Sequence, residues 1–262
     1  MDWNLSVTQY DVPGMAYHLA TAKDTSEYCT DAASQAGCAL GGSTIVNAMM
    51  YVKTRAADFD DSWPHGWQRQ DGVEAATERL FQRSPETILA SQDGKRYDDA
   101  AFDIVSGFLS NNGWSEVNAV KSPEEKQLIF THPTGLIENG LRAIREGSPV
   151  TGVRSSSHPP CASGSHFVGT AVMGEEDDGS SVVDTDTRVW GTDNLYVFDA
   201  SIHPKVPTGN TQAHVIVVAE HAVSKILGVE PIKCKTKRSH MFRDRQEVLD
   251  RSHLRRKALL HR

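Results

Sequence analysis

Residues 207–227, PTGNTQAHVIVVAEHAVSKIL, carry the clearest helical pattern of this 262-residue chain. The pattern predicts a helix over residues 212–227, and Gly228 stands where a helix C-terminus favours glycine. Asn210 and Thr211 come just before the helix. Either residue can cap the first turn, or the exposed N–H groups and the positive end of the helix dipole can face an anion there. The residues alone leave both interpretations open.

Upstream of this helix, the apolar runs 181–184 and 195–198 predict two short strands. Asp199 and Ala200 follow the second run, at the carboxyl end of a strand, where open α/β sheets bind their ligands. Because Asp-Ala-Ser also makes a good turn, a purely structural role stays open for these residues.

His166 lies in SHFVGTAVMG (residues 165–174), 44 residues before Asn210. A neutral imidazole can take a proton near pH 7, and an amide beside it can hold a hydroxyl group in place. A histidine beside an apolar strand can instead be a hydrogen-bonded structural residue. That structural interpretation is the one we expect for the other histidines of the region, which are His158, His203, His214 and His221.

The remaining chain contains ordinary packing elements and one long irregular stretch. Residues 73–83 and 98–110 have an apolar face at helical spacing and predict helices. Gly41 and Gly42 precede Ser43 in a loop that leads into a buried segment. Residues 113–165 are rich in Pro, Gly and Ser, which predicts a loop or linker with one short helix near 138–146.

Composition excludes several classes of protein. Hydrophobic residues make up 39% of the chain, enough for a core, and no apolar run is long enough to span a membrane. Residues 233–262 hold 11 Lys/Arg and 3 Asp/Glu, whereas the net charge of the whole chain is -7. The acidic body argues against nucleic acid, and the basic tail either binds polyanions or stays solvated. The four cysteines, Cys29, Cys38, Cys161 and Cys234, lack zinc-ligand spacing, so no metal is expected.

Three motifs occur in order over residues 165–227: His-x-x-Gly-Thr from His166, Asp-Ala-Ser from Asp199, and Gly-Asn at 209–210. This series resembles the C-terminal region of glucose-methanol-choline (GMC) oxidoreductases. Residues 37–47, GCALGGSTIVN, look like the first signature of the same family. Within the family, the chain looks most like the flavin domain of fungal cellobiose dehydrogenase.

The resemblance implies an FAD-dependent enzyme that oxidises the CH–OH group of a sugar or similar alcohol, with an electron acceptor that stays unknown. His166 matches the base that removes the hydroxyl proton while hydride leaves for the flavin, and Asn210 matches its partner. The amino end of the helix at 212 would stabilise negative charge on the reduced flavin. The cofactor-binding residues implied in the same way are Gly41, Gly42, Ser43, Asn47, Asp199, Ala200 and Thr211.

The chain also departs from the family pattern. The G-x-G-x-x-G turn that holds the ADP half of FAD is not found in it, and little sequence stands where the family has its substrate domain. We therefore expect an α/β (α+β) class, with an incomplete GMC-type FAD-binding fold and a remnant of the substrate domain. The expected parts are a partial FAD-binding region (1–135), a linker or collapsed remnant (136–164), the catalytic region (165–230) and a basic tail (231–262).

Two other functions stay open at this point. One is a non-catalytic remnant with weak or no flavin binding. The other is a hydrolase with Ser165 or Ser201 as nucleophile and His166 as base, although no G-x-S-x-G elbow is present. The resemblance implies an extracellular protein, while the first residues, MDWNLSVTQYDVPG, lack the pattern of a secretion signal.

Overall fold

The computed structural model describes residues 50–228, except for Ala90, Asp98, Lys126 and residues 139–140, 144–149 and 153–165. The predicted flavin loop with Gly41, Gly42, Ser43 and Asn47 therefore lies outside the described residues, as do His158, Ser165 and the basic tail.

The described residues form four α-helices: α1 (Ala57–Asp60), α2 (Val73–Arg83), α3 (Ala100–Asn111) and α4 (Thr211–Ile226). The sequence predictions for the last three helices are confirmed to within two residues at each end. Gly228 has a φ of +61° and its N–H donates to the Lys225 carbonyl at 3.1 Å, so the C-terminus of α4 also ends as predicted.

Helices α2 and α4 pack against each other and share a core with the aromatic side chains of Trp63 and Trp67. The Arg79 guanidinium donates to Ser224 Oγ at 2.6 Å and lies beside Glu220, which also pairs with Arg83. Trp63 and Trp67 stack with ring centroids 5.0 Å apart, and the Trp67 indole N–H donates to a backbone carbonyl. The buried apolar residues of this core are Tyr51, Phe59, Trp63, Trp67, Val73, Ala76, Leu80, Met173, Val183, Ile202, Ala213, Val217, Val218 and Ala222.

Within the described part of the chain, six short strands form two three-stranded sheets. The first has the order β1 (Glu86–Thr87), β4 (Gly135–Glu138), β5 (Leu141–Ala143), and all its pairs are antiparallel. In the second, β3 (Ile129–Thr131) pairs parallel with β2 (Ser115–Glu116) and antiparallel with β6 (Val150–Gly152). Helix α3 packs Phe102 and Leu109 on Phe130, beside this second sheet.

The helix expected near 138–146 is wrong for the residues that the structure describes there, because Glu138 ends β4 and residues 141–143 form β5, its antiparallel partner. Glu138 lies opposite Leu141, and the two residues between them in the sequence are Asn139 and Gly140. An Asn-Gly dipeptide between two apolar stretches is a strong sequence signal for a pair of antiparallel strands, and it competes with the weak helical spacing of this stretch.

The strands expected at 181–184 and 195–198 are also wrong. Both stretches take part only in isolated bridges, such as Val183 with Val189 and Arg188 with Tyr196. The Asp184 carboxylate accepts the backbone N–H groups of Asp186 and Arg188, both at 2.9 Å, and Thr187 between them has a φ of +66°. The turn therefore occupies backbone N–H groups that a continuous β-strand would need for its inter-strand hydrogen bonds.

The mixture of helices and short strands is compatible with the expected GMC-type fold. The division at residues 135, 164 and 230 stays a prediction, and so does the loss of parts of the family fold. Within the described ranges, no helix combines the length and the apolar character needed to cross a membrane.

Candidate active site

The irregular chain that follows His166 is fixed alongside the turn after Phe198. Three alternate N–H groups within residues 169–173 donate to the carbonyls of Ala200, Ser201 and Ile202, at 3.4, 2.9 and 3.1 Å. Ile202 is fully buried in the core, so these three hydrogen bonds tie the chain that follows His166 to the packed interior of the protein.

The imidazole of His166 contacts two side chains at the start of α4. Its Nε2 lies 3.5 Å from Asn210 Nδ2, and its Nδ1 lies 3.1 Å from Thr211 Oγ1. Asn210 is the N-cap of α4, and its Oδ1 accepts the Gln212 N–H at 3.0 Å. The structure therefore brings together the two predicted catalytic residues and confirms the capping role of Asn210, while its role in a site stays a prediction.

The His166 ring is half-buried, and this burial lowers its pKa from the ordinary value because the charged form loses solvation. The shift favours the uncharged imidazole, in which one ring nitrogen has a lone pair that can take a proton. The arrangement can serve as a general base with a non-titrating amide at its side.

A partly buried ion pair holds the turn before Asn210 in place. The Asp58 carboxylate is only 5% exposed, and it accepts from the guanidinium of Arg55 at 3.1 Å and from the Thr208 N–H at 3.1 Å. The same guanidinium donates to Thr208 Oγ1 at 2.9 Å. Sequence analysis missed these residues, since no local signal links positions about 150 residues apart.

Gly209 brings this turn into close contact with the segment at residue 52. Its φ is +99°, and a Cβ atom there would lie 3.1 Å from Val52 Cγ1. Both the backbone conformation and the space therefore favour glycine at the position just before Asn210.

We expect Gly209→Ala to lower the free energy of unfolding by about 1–3 kcal/mol, because it adds backbone strain and a tight contact with Val52. Gly179→Ala is the matched control, since Gly179 has a φ of +80° but no atom within 4 Å of its added Cβ. Urea unfolding of both variants measures the difference. Equal losses in the two variants would show that the Val52 contact does not constrain the turn.

Ala200 begins a short 3-10 turn (Ala200–Ile202), and Asp199 is the N-cap of this turn. The Asp199 carboxylate accepts the N–H and the hydroxyl of Ser201 at 2.8 and 2.6 Å. It follows an irregular segment and not a strand, so the turn interpretation describes its local structure. Its cofactor-binding role stays a prediction, as does that of Ala200.

The hydrolase alternative with Ser201 fails on geometry. The Ser201 hydroxyl donates to Asp199, while both ring nitrogens of His166 face side chains of α4. The structure does not bring this serine to the imidazole that would activate it.

Among the other histidines of the region, the structure describes His203, His214 and His221, and all three are buried in the core. His221 Nε2 lies 3.1 Å from the Gly66 carbonyl, as expected for a hydrogen-bonded structural residue. His203 and His214 are 0% and 1% exposed, yet their ring nitrogens have no hydrogen-bond partner within the described part of the chain. The expectation of a hydrogen-bonded role is therefore wrong for these two, which pack among Phe59 and Trp63 as aromatic rings.

The described residues fit one side of a flavin site. Helix α4 runs for 16 residues, and its first turn contains no acidic residue that would neutralise the positive end of its dipole. That end lies beside the His166 and Asn210 pair, so a group that becomes negatively charged on reduction would be stabilised there.

Comparison with known proteins matches residues 142–219 to the family described as GMC oxidoreductase. An oxygen-dependent choline dehydrogenase of Sinorhizobium fredii is 48% identical over 67 residues, which are 26% of this chain and 12% of that protein. The enzyme of the same name from Photobacterium profundum is 40% identical over 80 residues, or 30% of this chain and 13% of the relative. Oxygen-dependent choline dehydrogenase 1 of Chromohalobacter salexigens is 32% identical over 176 residues, 64% of this chain and 29% of the relative.

The chain thus spans less than a third of the length of these curated relatives. The family match includes His166, Asn210 and most of α4. Residues 142–219 are thus similar to GMC oxidoreductases, and up to 64% of the chain is similar to enzymes named choline dehydrogenases.

Proposed function

We propose that the chain acts as an FAD-dependent oxidoreductase on the CH–OH group of a small alcohol, with His166 as the base. The observation that carries this proposal is the contact of His166 with Asn210 at the amino end of α4, inside the segment that matches the family. A half-buried neutral imidazole, a fixed amide and an uncompensated helix end suit the removal of a hydroxyl proton beside a reducible cofactor.

In this mechanism, bound FAD supplies the acceptor for the hydride that leaves the substrate carbon. His166 takes the hydroxyl proton on Nε2 as the C–H bond breaks, so that a carbonyl forms. Asn210 holds the hydroxyl oxygen through its Nδ2 group, and the first turn of α4 favours the negative charge that accumulates nearby. The proton therefore ends on the imidazole, and two electrons leave with the hydride.

We also propose that a second set of residues binds the FAD cofactor. Thr211 belongs to the same helix end as Asn210, and Asp199 and Ala200 lie on the turn to which the segment after His166 is tied. The proposed flavin loop of Gly41, Gly42, Ser43 and Asn47 precedes a described segment whose Val52 lies close to Gly209. This contact supports a flavin site made by both parts of the chain.

The substrate class divides into two specific candidates. The sequence resemblance to cellobiose dehydrogenase favours a sugar, whereas the curated relatives are named choline dehydrogenases. Both substrates present a CH–OH group to the same base. The identity of the electron acceptor also belongs to the proposal. The names of the relatives, oxygen-dependent choline dehydrogenases, favour oxygen as a candidate.

The decisive experiment is to purify the full chain, record its visible absorbance and add FAD to any colourless fraction. We expect flavin bands that persist through gel filtration and that bleach without oxygen on addition of choline or cellobiose. Bleaching by one compound and not the other selects the substrate class.

Colourless protein that FAD cannot reconstitute would overturn the proposal and favour the non-catalytic remnant. Bound flavin that no alcohol reduces would leave a flavin-binding protein without this activity.

A further inference from the structure

The start of α4 constrains which nitrogen of His166 carries a proton. Two consecutive side chains, those of Asn210 and Thr211, contact the two ring nitrogens at 3.5 and 3.1 Å. A neutral imidazole has one N–H donor and one lone pair, so the hydrogen-bonding capacity of the two contacts decides between its tautomers.

The orientation of the Asn210 amide is fixed by its capping role. Its Oδ1 accepts the backbone N–H of Gln212 at 3.0 Å. The opposite orientation would turn the amide NH2 toward that N–H and place two donors against each other. The Asn210 NH2 group therefore faces His166, where it can only donate.

A donor from Asn210 requires the lone pair of His166 on Nε2. The single ring proton must then lie on Nδ1, which faces Thr211 Oγ1. A threonine hydroxyl can donate or accept, so it adapts to the tautomer that Asn210 selects and here accepts the Nδ1 proton.

We propose that Asn210 and Thr211 together hold His166 in its Nδ1–H tautomer, with Thr211 as a positioning residue. The importance of this tautomer rests on the proposed function, because only a lone pair on Nε2 can take the substrate proton beside Asn210. The shorter contact, to Thr211, orients the ring. The longer contact, to Asn210, is weak enough to leave the Nε2 lone pair accessible to a substrate hydroxyl.

This assignment gives Thr211 a role different from the cofactor contact expected for it. Thr211 is the first residue of α4, so the same residue that begins the helix also sets the chemistry of the base. No spacing rule indicates such a contact, because His166 is 45 positions away along the chain.

The test is nitrogen-15 NMR of the histidine rings in the full chain, at a pH where the imidazoles are neutral. The His166 signals, assigned by their loss in His166→Gln, should show a protonated Nδ1 and an unprotonated Nε2. In Thr211→Val, which removes the hydroxyl at nearly constant volume, we expect a mixture of tautomers, and Thr211→Ser should restore the original signals. Thr77→Val is the matched control, since its hydroxyl bonds to a carbonyl of its own helix.

Where flavin is bound, Thr211→Val should also lower turnover by about fivefold at an unchanged KM, the effect of one neutral hydrogen bond, with recovery in Thr211→Ser. A protonated Nε2 in the unchanged protein would overturn the inference without any variant. Unchanged ring signals in a folded Thr211→Val would also overturn it. Because the NMR measurement needs no flavin, failure of the proposed oxidation with an intact Nδ1–H tautomer would reject the function and keep the inference.

Discussion

His166→Ala is expected to lower the rate of alcohol-dependent flavin reduction by about 10²- to 10⁴-fold and to leave bound flavin in place. The imidazole acts on the proton of the substrate, so its removal takes away the proposed proton acceptor. The remaining contacts around it belong to the helix end, and Asn210 keeps its capping bond to Gln212 in the variant. Stopped-flow absorbance without oxygen measures the rate, and the flavin-to-protein ratio measures binding.

The pH dependence provides a second measurement on the same variant. Burial lowers the pKa of His166, so the neutral base persists to a lower pH than it would in a free histidine. The rate of the unchanged protein should fall only as the pH drops below about 6.5, and the residual rate of His166→Ala should not show this step.

His65→Ala serves as the control, since His65 is an exposed histidine on another segment. It should leave both rate and flavin content unchanged. Loss of flavin from His166→Ala would contradict the role of a base and indicate a structural role instead. A rate within twofold of the original would mean that another group takes the proton.

The helices of this chain were predictable because their signals are local. Residues 73–83 and 212–227 carry apolar faces at helical spacing, and Gly228 ends α4 as the sequence indicates. The strands at 181–184 and 195–198 failed for the opposite reason. Their apolar residues satisfied the strand pattern, but hydrogen bonds of Asp184 to the backbone of its neighbours turned the chain between them.

The candidate site was predictable only in part. The family resemblance implied that His166 and Asn210 lie together, and the structure brings His166 Nε2 to 3.5 Å from Asn210 Nδ2. The Asp58 and Arg55 pair that fixes the preceding turn had no signal, because such a pair depends on the tertiary fold. The hydrogen-bond partners of the buried histidines could not be predicted either. The spacing of apolar residues indicates which side chains are buried, but it does not indicate which group a ring nitrogen contacts.

Those buried histidines should make the stability of the protein sensitive to acid. Burial lowers the pKa of His203 to about 4, although the charge of Asp199 opposes the shift. Burial and the neighbouring His203 lower the pKa of His214 well below its usual value. The two rings lie 4.9 Å apart, centroid to centroid, so protonation of one disfavours protonation of the other.

The sign of the effect follows from proton binding. An unfolded histidine titrates near pH 6.5, so between about pH 6.5 and 4 the unfolded chain binds protons that the native core excludes. The free energy of unfolding should therefore decrease as the pH falls through this window, by about 1.4 kcal/mol per pH unit for each such histidine. His203 alone would contribute a loss of about 3 kcal/mol by pH 4, given its pKa of about 4.

Urea unfolding at about pH 7 and about pH 5 tests this, because most carboxylates titrate below that range. His203→Leu, His214→Leu and the double variant remove the titrating rings at similar volume, and each should reduce the acid loss, the double variant most. At neutral pH these variants should unfold with free energies close to the original, since leucine leaves no polar atom without a partner. Exposed His65→Leu is the control and should keep the original pH dependence.

If the variants retain the full acid loss, the core imidazoles have hydrogen-bond partners or solvent in solution, and carboxylates or the other histidines account for the acid sensitivity.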